Sequence, residues 1–345
     1  MRALIVHGKD LRYEAAPDPA IQDSRDIIVK MTQCAICGSD LHLIQSDWTP
    51  PRHIYGIGHE AIGEIVERGS AVSALKVGDK VMLSGAVGCG RCRSCLSGQI
   101  KRCENKATDV YGVGQGLEGC QAEAIRVPAG DFNAARIPEG ISDDQAILLT
   151  DNLVTAYGAL IGADVCAGRS VAVIGLGPIG LMAVEMAMLM GASVVYAVDP
   201  IADRRARATA LGAMALPPSD LRETLSDMTS GQMIDSVIEA VGSTVTIDLA
   251  MSVVGVSRNV SILGAGMNFE VRVPFHACLN GVTVRANMLT EISRYWPAVV
   301  PMLQSRRIKP EQFVTDYLSL ADGPVAYKRA ADREGGTLKV MMRPE

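Results

Sequence analysis

The chain has no long basic run. Its 345 residues carry 33 Lys and Arg against 38 Asp and Glu, a net charge of −5. A nucleic-acid footprint needs a basic stripe, so nucleic acid is not an expected partner. The one basic cluster, "RRARA" at 204–208, is short and reads as the solvated face of a helix. Internal repeats and low-complexity linkers are absent as well. No secretory leader opens the chain, because "MRALIVHGKDLRYE" reaches charged residues after a few apolar ones. There is also no unbroken apolar span. The most membrane-like stretch, 171–198, is interrupted by Gly177-Pro178 and carries Glu185 inside it. The expectation is a cytoplasmic protein with no membrane partner. Hydrophobic residues at 48 % and charged residues at 21 % suit a folded enzyme and not a disordered chain. The length exceeds one ordinary core and predicts two domains.

Cysteine, by contrast, is plentiful. Of nine cysteines, four crowd into "GCGRCRSCLSGQIKRC", residues 88–103: Cys89, Cys92, Cys95 and Cys103. Thiols of a cytoplasmic protein stay reduced, which argues against a disulfide frame. The spacing C-x2-C-x2-C-x7-C lets one irregular loop wrap several thiolates around a tetrahedral zinc. Gly88, Gly90 and Gly98 give that loop its backbone freedom. An iron–sulfur cluster would use the same ligands, but no second cysteine group marks an electron path, and this favours zinc. Four thiolates close the coordination sphere, so this zinc is expected to be structural and the chemistry to lie elsewhere.

Residues 1–150 predict a strand-rich, barrel-type domain. Short β-branched or alternating runs recur at 3–6, 26–36, 61–69, 80–85 and 122–128, separated by turn residues such as "PDP", "VGDK" and "PAGD". After about 153 strand and helix patterns alternate with short loops, which predicts an α/β doubly wound parallel sheet. The alternation stops after about 290. There "EISRYWPAVVPMLQSRRI" looks helical despite Pro297 and Pro301, and the tail "GTLKVMM" looks like a strand able to return to the first domain. The expected boundaries are 1–152, completed by 290–345, and 153–289.

Inside the second domain "GLGPIG" places Gly175, Gly177 and Gly180 as G-x-G-x-x-G, with Pro178 and Ile179 between them. The motif follows an apolar strand and opens a helix, the context of a dinucleotide site in which the pyrophosphate meets free N–H groups at the helix N-terminus. Asp199 ends the next strand, where a carboxylate accepts from ribose hydroxyls and disfavours a 2′-phosphate, so NAD is expected over NADP. A nucleotide-free sheet of the same type is the plainer alternative.

The remaining metal candidates are Cys37 and His42 in "CAICGSDLH", His59 and Glu60 in "GHE", and Asp151 in "LLTDNLVTAYGAL". Catalytic zinc takes three protein ligands and keeps one place open. Cys37, His59 and Asp151 would supply a thiolate, an imidazole and a carboxylate, balancing the charge of the ion. From spacing alone, a packing cysteine and a surface histidine remain the alternatives.

Along nearly its whole length the chain resembles the zinc-dependent medium-chain alcohol dehydrogenases. The resemblance rests on "CAICGSDLH", "GIGHEAIGEIVERGSAVSALKVGDKV", the four-cysteine loop, "LTDNLVTAYGAL", "VIGLGPIGL" and "GTLKVMMRP". It implies a GroES-like catalytic domain joined to a Rossmann domain, two zinc ions per chain, NAD, and a homodimer or homotetramer. It implies Cys37, His59 and Asp151 as catalytic zinc ligands, although many members carry cysteine at the third place, and Glu60 as an extra or alternating ligand. An alcohol would enter the open metal position, lose its proton there and pass hydride to the nicotinamide. Ser39 matches the relay hydroxyl and His42 the base toward solvent, against a capping or packing role for that histidine. Thr155 and Val241 are expected near the nicotinamide, Arg204 at the adenosine ribose and Lys339 at the pyrophosphate. Trp48, Tyr111 and Leu289 are candidate walls of the substrate pocket, with plain packing as the alternative, and such a wall would favour hydrophobic alcohols or ketones. A polyol dehydrogenase, a formaldehyde-type enzyme, a zinc-free quinone reductase and a zinc-stapled binding protein are the competing readings.

Overall fold

The computed structural model describes residues 1–45, 52–105, 109–266, 270–287 and 290–345. The chain divides into two compact units: Met1–Val154 with Glu291–Glu345, and Thr155–Thr290.

The first unit is organised around the strand Ile27–Ala35. Its alternation buries Val29 and Met31 and exposes Lys30 and Thr32, which fixes the register, since a one-residue slip would turn the apolar set to water. It pairs antiparallel with Glu60–Arg68, with Ala124–Val127 and with the tail strand Lys339–Arg343. Across the sheet the order is Ala134–Arg136, Lys80–Leu83, Glu60–Arg68, Ile27–Ala35, Lys339–Arg343 and Val314–Ser319. A smaller sheet joins Asp10–Ala15, Arg2–His7 and Ile54–Gly56. Leu4, Val6, Val29, Met31, Ile57, Ile65, Val340 and Met342 share one buried core. The helix expected after 290 runs over Ile292–Gln304 with both prolines inside it. It survives because Pro297 and Pro301 sit on the exposed face, where the carbonyls they free can be hydrated, while Ile292, Trp296, Val299 and Leu303 form the buried stripe.

The second unit holds six parallel strands in the order Met214–Leu216, Val194–Val198, Ser170–Ile174, Ile234–Glu239, Val254–Ile262 and Thr283–Ala286. The connecting helices include Pro178–Leu189, Ala202–Ala210, Leu221–Met228 and Thr244–Val253. The strand order reverses between Ser170–Ile174 and Ile234–Glu239, the switch point at which open α/β sheets bind ligands beyond their carboxyl ends. The "RRARA" cluster lies on Ala202–Ala210, where Ala208 is the buried residue. Among the described residues no helix is long and apolar enough to cross a membrane.

Candidate active site

Two clusters of metal-ligating side chains stand out among the described residues, and both lie in the first unit. In the first, Cys89, Cys92, Cys95 and Cys103 gather their sulfurs within 4.8 Å of one another. Cys92 caps the short helix Arg93–Leu96 by accepting from the Cys95 amide, and Cys103 Sγ accepts from the Cys89 amide at 3.4 Å. Cys89 Sγ lies 3.9 Å from Cys95 Sγ, close to the edge of about 3.8 Å that a tetrahedron with 2.3 Å zinc–sulfur bonds requires. Burial raises the Cys89 thiol, but hydrogen bonds from the Arg91 backbone, the Asn105 carboxamide and the Cys92 backbone outweigh it and bring the pKa down to about 6. Such a thiolate is ready for a metal at neutral pH.

The second cluster brings together Cys37, His59, Glu60 and Asp151. Cys37 follows the central strand and precedes the helix Gly38–Gln45; His59 and Glu60 enter the neighbouring strand; Asp151 precedes the helix Asn152–Gly162. Asp151 Oδ2 lies 3.7 Å from both Cys37 Sγ and His59 Nε2, a few tenths beyond the edges of about 3.3–3.5 Å expected around zinc. Ser39 Oγ stands 3.4 Å from the same His59 nitrogen. Burial lowers the His59 pKa, but the Asp40 carboxylate, followed by Asp151 and Cys37, raises it well above the ordinary value. The donor set suits zinc: a thiolate, an imidazole and a carboxylate, with Nε2 facing the other ligands.

Four partners of this cluster are not among the residues the sequence singled out. Asp40, fully buried, holds Oδ1 3.1 Å from His59 Nδ1 and accepts from the Cys37 amide at 2.9 Å through Oδ2. A metal on Nε2 requires the proton on Nδ1, and the Asp40 carboxylate lies beside that nitrogen as its ion-pair partner. The signal for it was its place inside "CGSDLH", since a ligating histidine needs such a partner. Asn152 donates to Glu60 Oε1 at 2.8 Å. Gln121 and Tyr327 lie behind Asp40 and had no local signal at all.

Lys339, expected at the pyrophosphate, has a side chain that is 1 % exposed, with Nζ 2.5 Å from Glu60 Oε2 and 2.9 Å from the Ile36 carbonyl. Burial pulls the lysine pKa down, but the Glu60 carboxylate more than restores it and keeps the ammonium charged. Glu60, expected as an optional ligand, stays in the cluster with a partner on each oxygen. Tyr111, expected as a pocket wall, is fully buried in the core of the first unit, with its hydroxyl 3.4 Å from the Arg126 carbonyl. Trp48 and Leu289 lie outside the described residues. His42 is exposed on the helix Gly38–Gln45, and partial burial of its ring lowers its pKa. Cys34 is buried in the core, as a packing cysteine.

In the second unit the glycine motif has its own geometry. Gly177 caps the helix Pro178–Leu189, Pro178 takes its first position, and Ile179 follows in the first turn. Gly175 adopts φ +95°, and a Cβ on Gly180 would fall 1.9 Å from the Gly175 carbonyl oxygen, so strand and helix pack too closely there for a side chain. Nothing lies within 4 Å of a Cβ built on Gly177, which leaves space beside the helix N-terminus. Val241 packs over Gly175. Asp199 accepts from the Leu176 amide and the Ile201 amide, each at 2.8 Å, and Arg204 Nη1 lies 3.6 Å from it. Arg205 is turned to the carbonyls of Asp199 and Pro200. Thr155 is buried at the start of this unit.

A parallel sheet with a glycine-rich turn and a cluster of cysteine, histidine and carboxylate side chains define a zinc-binding dehydrogenase. Residues 23–139 match the alcohol dehydrogenase GroES-like domain and residues 178–305 the zinc-binding dehydrogenase family. The chain is 39 % identical to "Probable zinc-binding alcohol dehydrogenase Rv1895" of Mycobacterium tuberculosis, over 100 % of this chain and 89 % of that protein. It superposes on the alcohol dehydrogenase TADH from Thermus sp. ATN1 with a TM-score of 0.91 and 34 % identity over the whole of both chains. A zinc-binding dehydrogenase from Sinorhizobium meliloti 1021, solved bound to NADP, gives a TM-score of 0.84 at 26 % identity over 99 % of each chain. The chain belongs to the zinc-dependent medium-chain alcohol dehydrogenase family.

Proposed function

We propose that the protein is an NAD-dependent alcohol dehydrogenase that moves hydride reversibly between a small alcohol and the nicotinamide, yielding a ketone or aldehyde. The observation that carries this reading is the convergence of Cys37, His59 and Asp151 on one point, with the Ser39 hydroxyl beside it. Cys37, His59 and Asp151 would hold the catalytic zinc, which when bound would supply a Lewis acid that lowers the pKa of the substrate hydroxyl. Ser39 accepts the substrate proton, and His42, kept neutral at pH 7 by its lowered pKa, passes it toward solvent. The four-cysteine loop holds a second, structural zinc. Thiolates at both sites need reduced cysteines, which supports a cytoplasmic location.

The NAD preference rests on Asp199. Two backbone amides hold its carboxylate at the end of the strand Val194–Val198, where it suits ribose hydroxyls and repels a 2′-phosphate. Arg204 works against this, but the Arg205 guanidinium is occupied by backbone carbonyls. The substrate is read as a secondary or hydrophobic alcohol and the matching carbonyl compound. The test assays secondary alcohols, polyols, formaldehyde and ketones with NAD⁺, NADH and NADP⁺, alongside metal analysis. Two zinc ions per chain and a higher kcat/KM with NAD⁺ are expected. Asp199→Ser should lower that preference about tenfold or more, a change worth about 1.4 kcal/mol. Fully active protein with one zinc, or equal use of NADP⁺, would overturn the corresponding part.

A further inference from the structure

Behind the second metal cluster runs a buried hydrogen-bond chain that no part of the proposed reaction uses. Tyr327, on the helix Gly323–Asp332, donates its hydroxyl to Gln121 Oε1 at 2.8 Å. Gln121 Nε2 donates to the Ala35 carbonyl at 3.0 Å and to Asp40 Oδ2 at 3.4 Å. Asp40 in turn faces His59 Nδ1 at 3.1 Å. The direction of this chain is forced. A backbone carbonyl and a carboxylate can only accept, so the amide NH₂ must face both of them. The amide oxygen then points to Tyr327, which must donate. Gln121 is also held from both sides of its backbone, by Gln121 N to Ile57 O at 3.0 Å and by Leu4 N to Gln121 O at 2.9 Å. Its side chain lies against the backbone beside His59: a Cβ on Gly58 would fall 2.4 Å from Gln121 Cγ.

We infer that Gln121 and Tyr327 are positioning residues for the catalytic metal, acting in series through Asp40 to hold the His59 ring with Nε2 aimed at the ligand cluster. This rests on the reading of Cys37, His59 and Asp151 as a zinc site. Gln121 and the Cys37 amide both donate to Asp40 Oδ2, and this holds the carboxylate with Oδ1 toward His59 Nδ1. Tyr327 holds the Gln121 amide oxygen and so steadies the end of the side chain that the Ala35 carbonyl and Asp40 orient. A helix near the end of the chain thereby sets the orientation of a ligand near its beginning.

Partners of metal ligands typically change metal affinity by about 10–100-fold when removed. The test uses Gln121→Met, which keeps the volume, and Tyr327→Phe, which removes one oxygen, each as the full chain. Metal release to a chelator and the visible spectrum after cobalt substitution at the catalytic site are followed together with zinc retained by the four-cysteine loop. Gln121→Met should keep the loop zinc, release the catalytic metal about 10–100-fold faster and alter the cobalt spectrum. Tyr327→Phe should shift both readouts the same way by less. The double variant should match Gln121→Met, because Tyr327 acts only through Gln121. Unchanged release and spectrum in folded Gln121→Met, or losses that multiply in the double variant, would overturn the inference. Should Gln121→Met not fold, unchanged release and spectrum in Tyr327→Phe overturn it alone. An unsubstituted protein that binds no metal at Cys37, His59 and Asp151 would overturn the site reading as well, whereas a parent that binds with unaffected variants overturns only this step.

Discussion

Asp151 contributes a charge that the site can accept from either of two side-chain types. A thiolate carries the same charge and is an equally ordinary zinc ligand. Asp151→Ala is therefore expected to lose one metal ion per chain and the activity with it, while Asp151→Cys keeps both; metal content and kcat measured on the two variants check this. Retained metal in Asp151→Ala would remove the residue from the ligand set. At this scale the sequence revealed side chains whose chemical type and motif announce them, such as Cys37 and His59. It says less of those whose role is decided by what folds against them. Lys339 in "GTLKV" reads as a cation for a phosphate, because nothing local announces that Glu60, far away in sequence, takes its ammonium. Tyr111 beside glycines reads as a pocket wall, and only packing shows it to be core.

Elements were more legible where periodicity is strong. Ser170–Ile174 and Pro178–Leu189 are continuous apolar segments with a glycine turn between them, and strand and helix follow from that alone. The helix Gly38–Gln45 escaped notice because its buried residues are Asp40 and Leu43, and a buried aspartate breaks the apolar pattern. The glycine turn yields a paired prediction. Gly180→Ala drives a methyl into the Gly175 carbonyl and should destabilise the fold as well as weaken dinucleotide binding. Gly177→Ala has open space, so it should leave the melting temperature near that of the parent and weaken dinucleotide binding alone. Calorimetry beside coenzyme titration separates the two, and equal destabilisation in both variants would contradict the geometry. In the four-cysteine loop, Cys92→Ser opens the coordination sphere. Because structural zinc contributes folding energy, the melting temperature should fall by at least roughly 5 °C with loss of one zinc. Thermal denaturation with metal analysis measures this, and a variant that keeps both zinc and melting temperature counts against the cage.

Across the whole molecule, two units interleave in sequence, the second inserted between the parts of the first. The Lys339–Glu60 pair joins those parts deep in the interior. Removing one member of a buried pair leaves an uncompensated charge and typically costs about 3–5 kcal/mol. Lys339→Met should show that loss in urea unfolding, and Lys339→Met with Glu60→Gln should recover part of it; a single variant as stable as the parent would mean that the pair carries no such weight. The alternation of strands and helices made the second unit readable as a whole. The tail was readable as a strand returning to the first unit, but its neighbours in the sheet were not, because strand pairing is set by packing and not by local pattern.

That tail also orders events during synthesis. Met341 and Met342 pair with Ala35 and Cys34, so the central sheet of the first unit lacks an inner strand until Lys339–Arg343 has been made. At about 5–20 residues per second, the ligand-bearing segments of the first unit wait tens of seconds for that strand while the inserted unit, already complete in sequence, is free to fold. During this interval Cys37 and His59 are translated but have neither Asp151 at first nor Lys339 until the end. The four-cysteine cluster is contiguous in sequence and can gather early, whereas the cluster of Cys37, His59, Glu60 and Asp151, with Lys339 behind it, is complete only once that strand is in place.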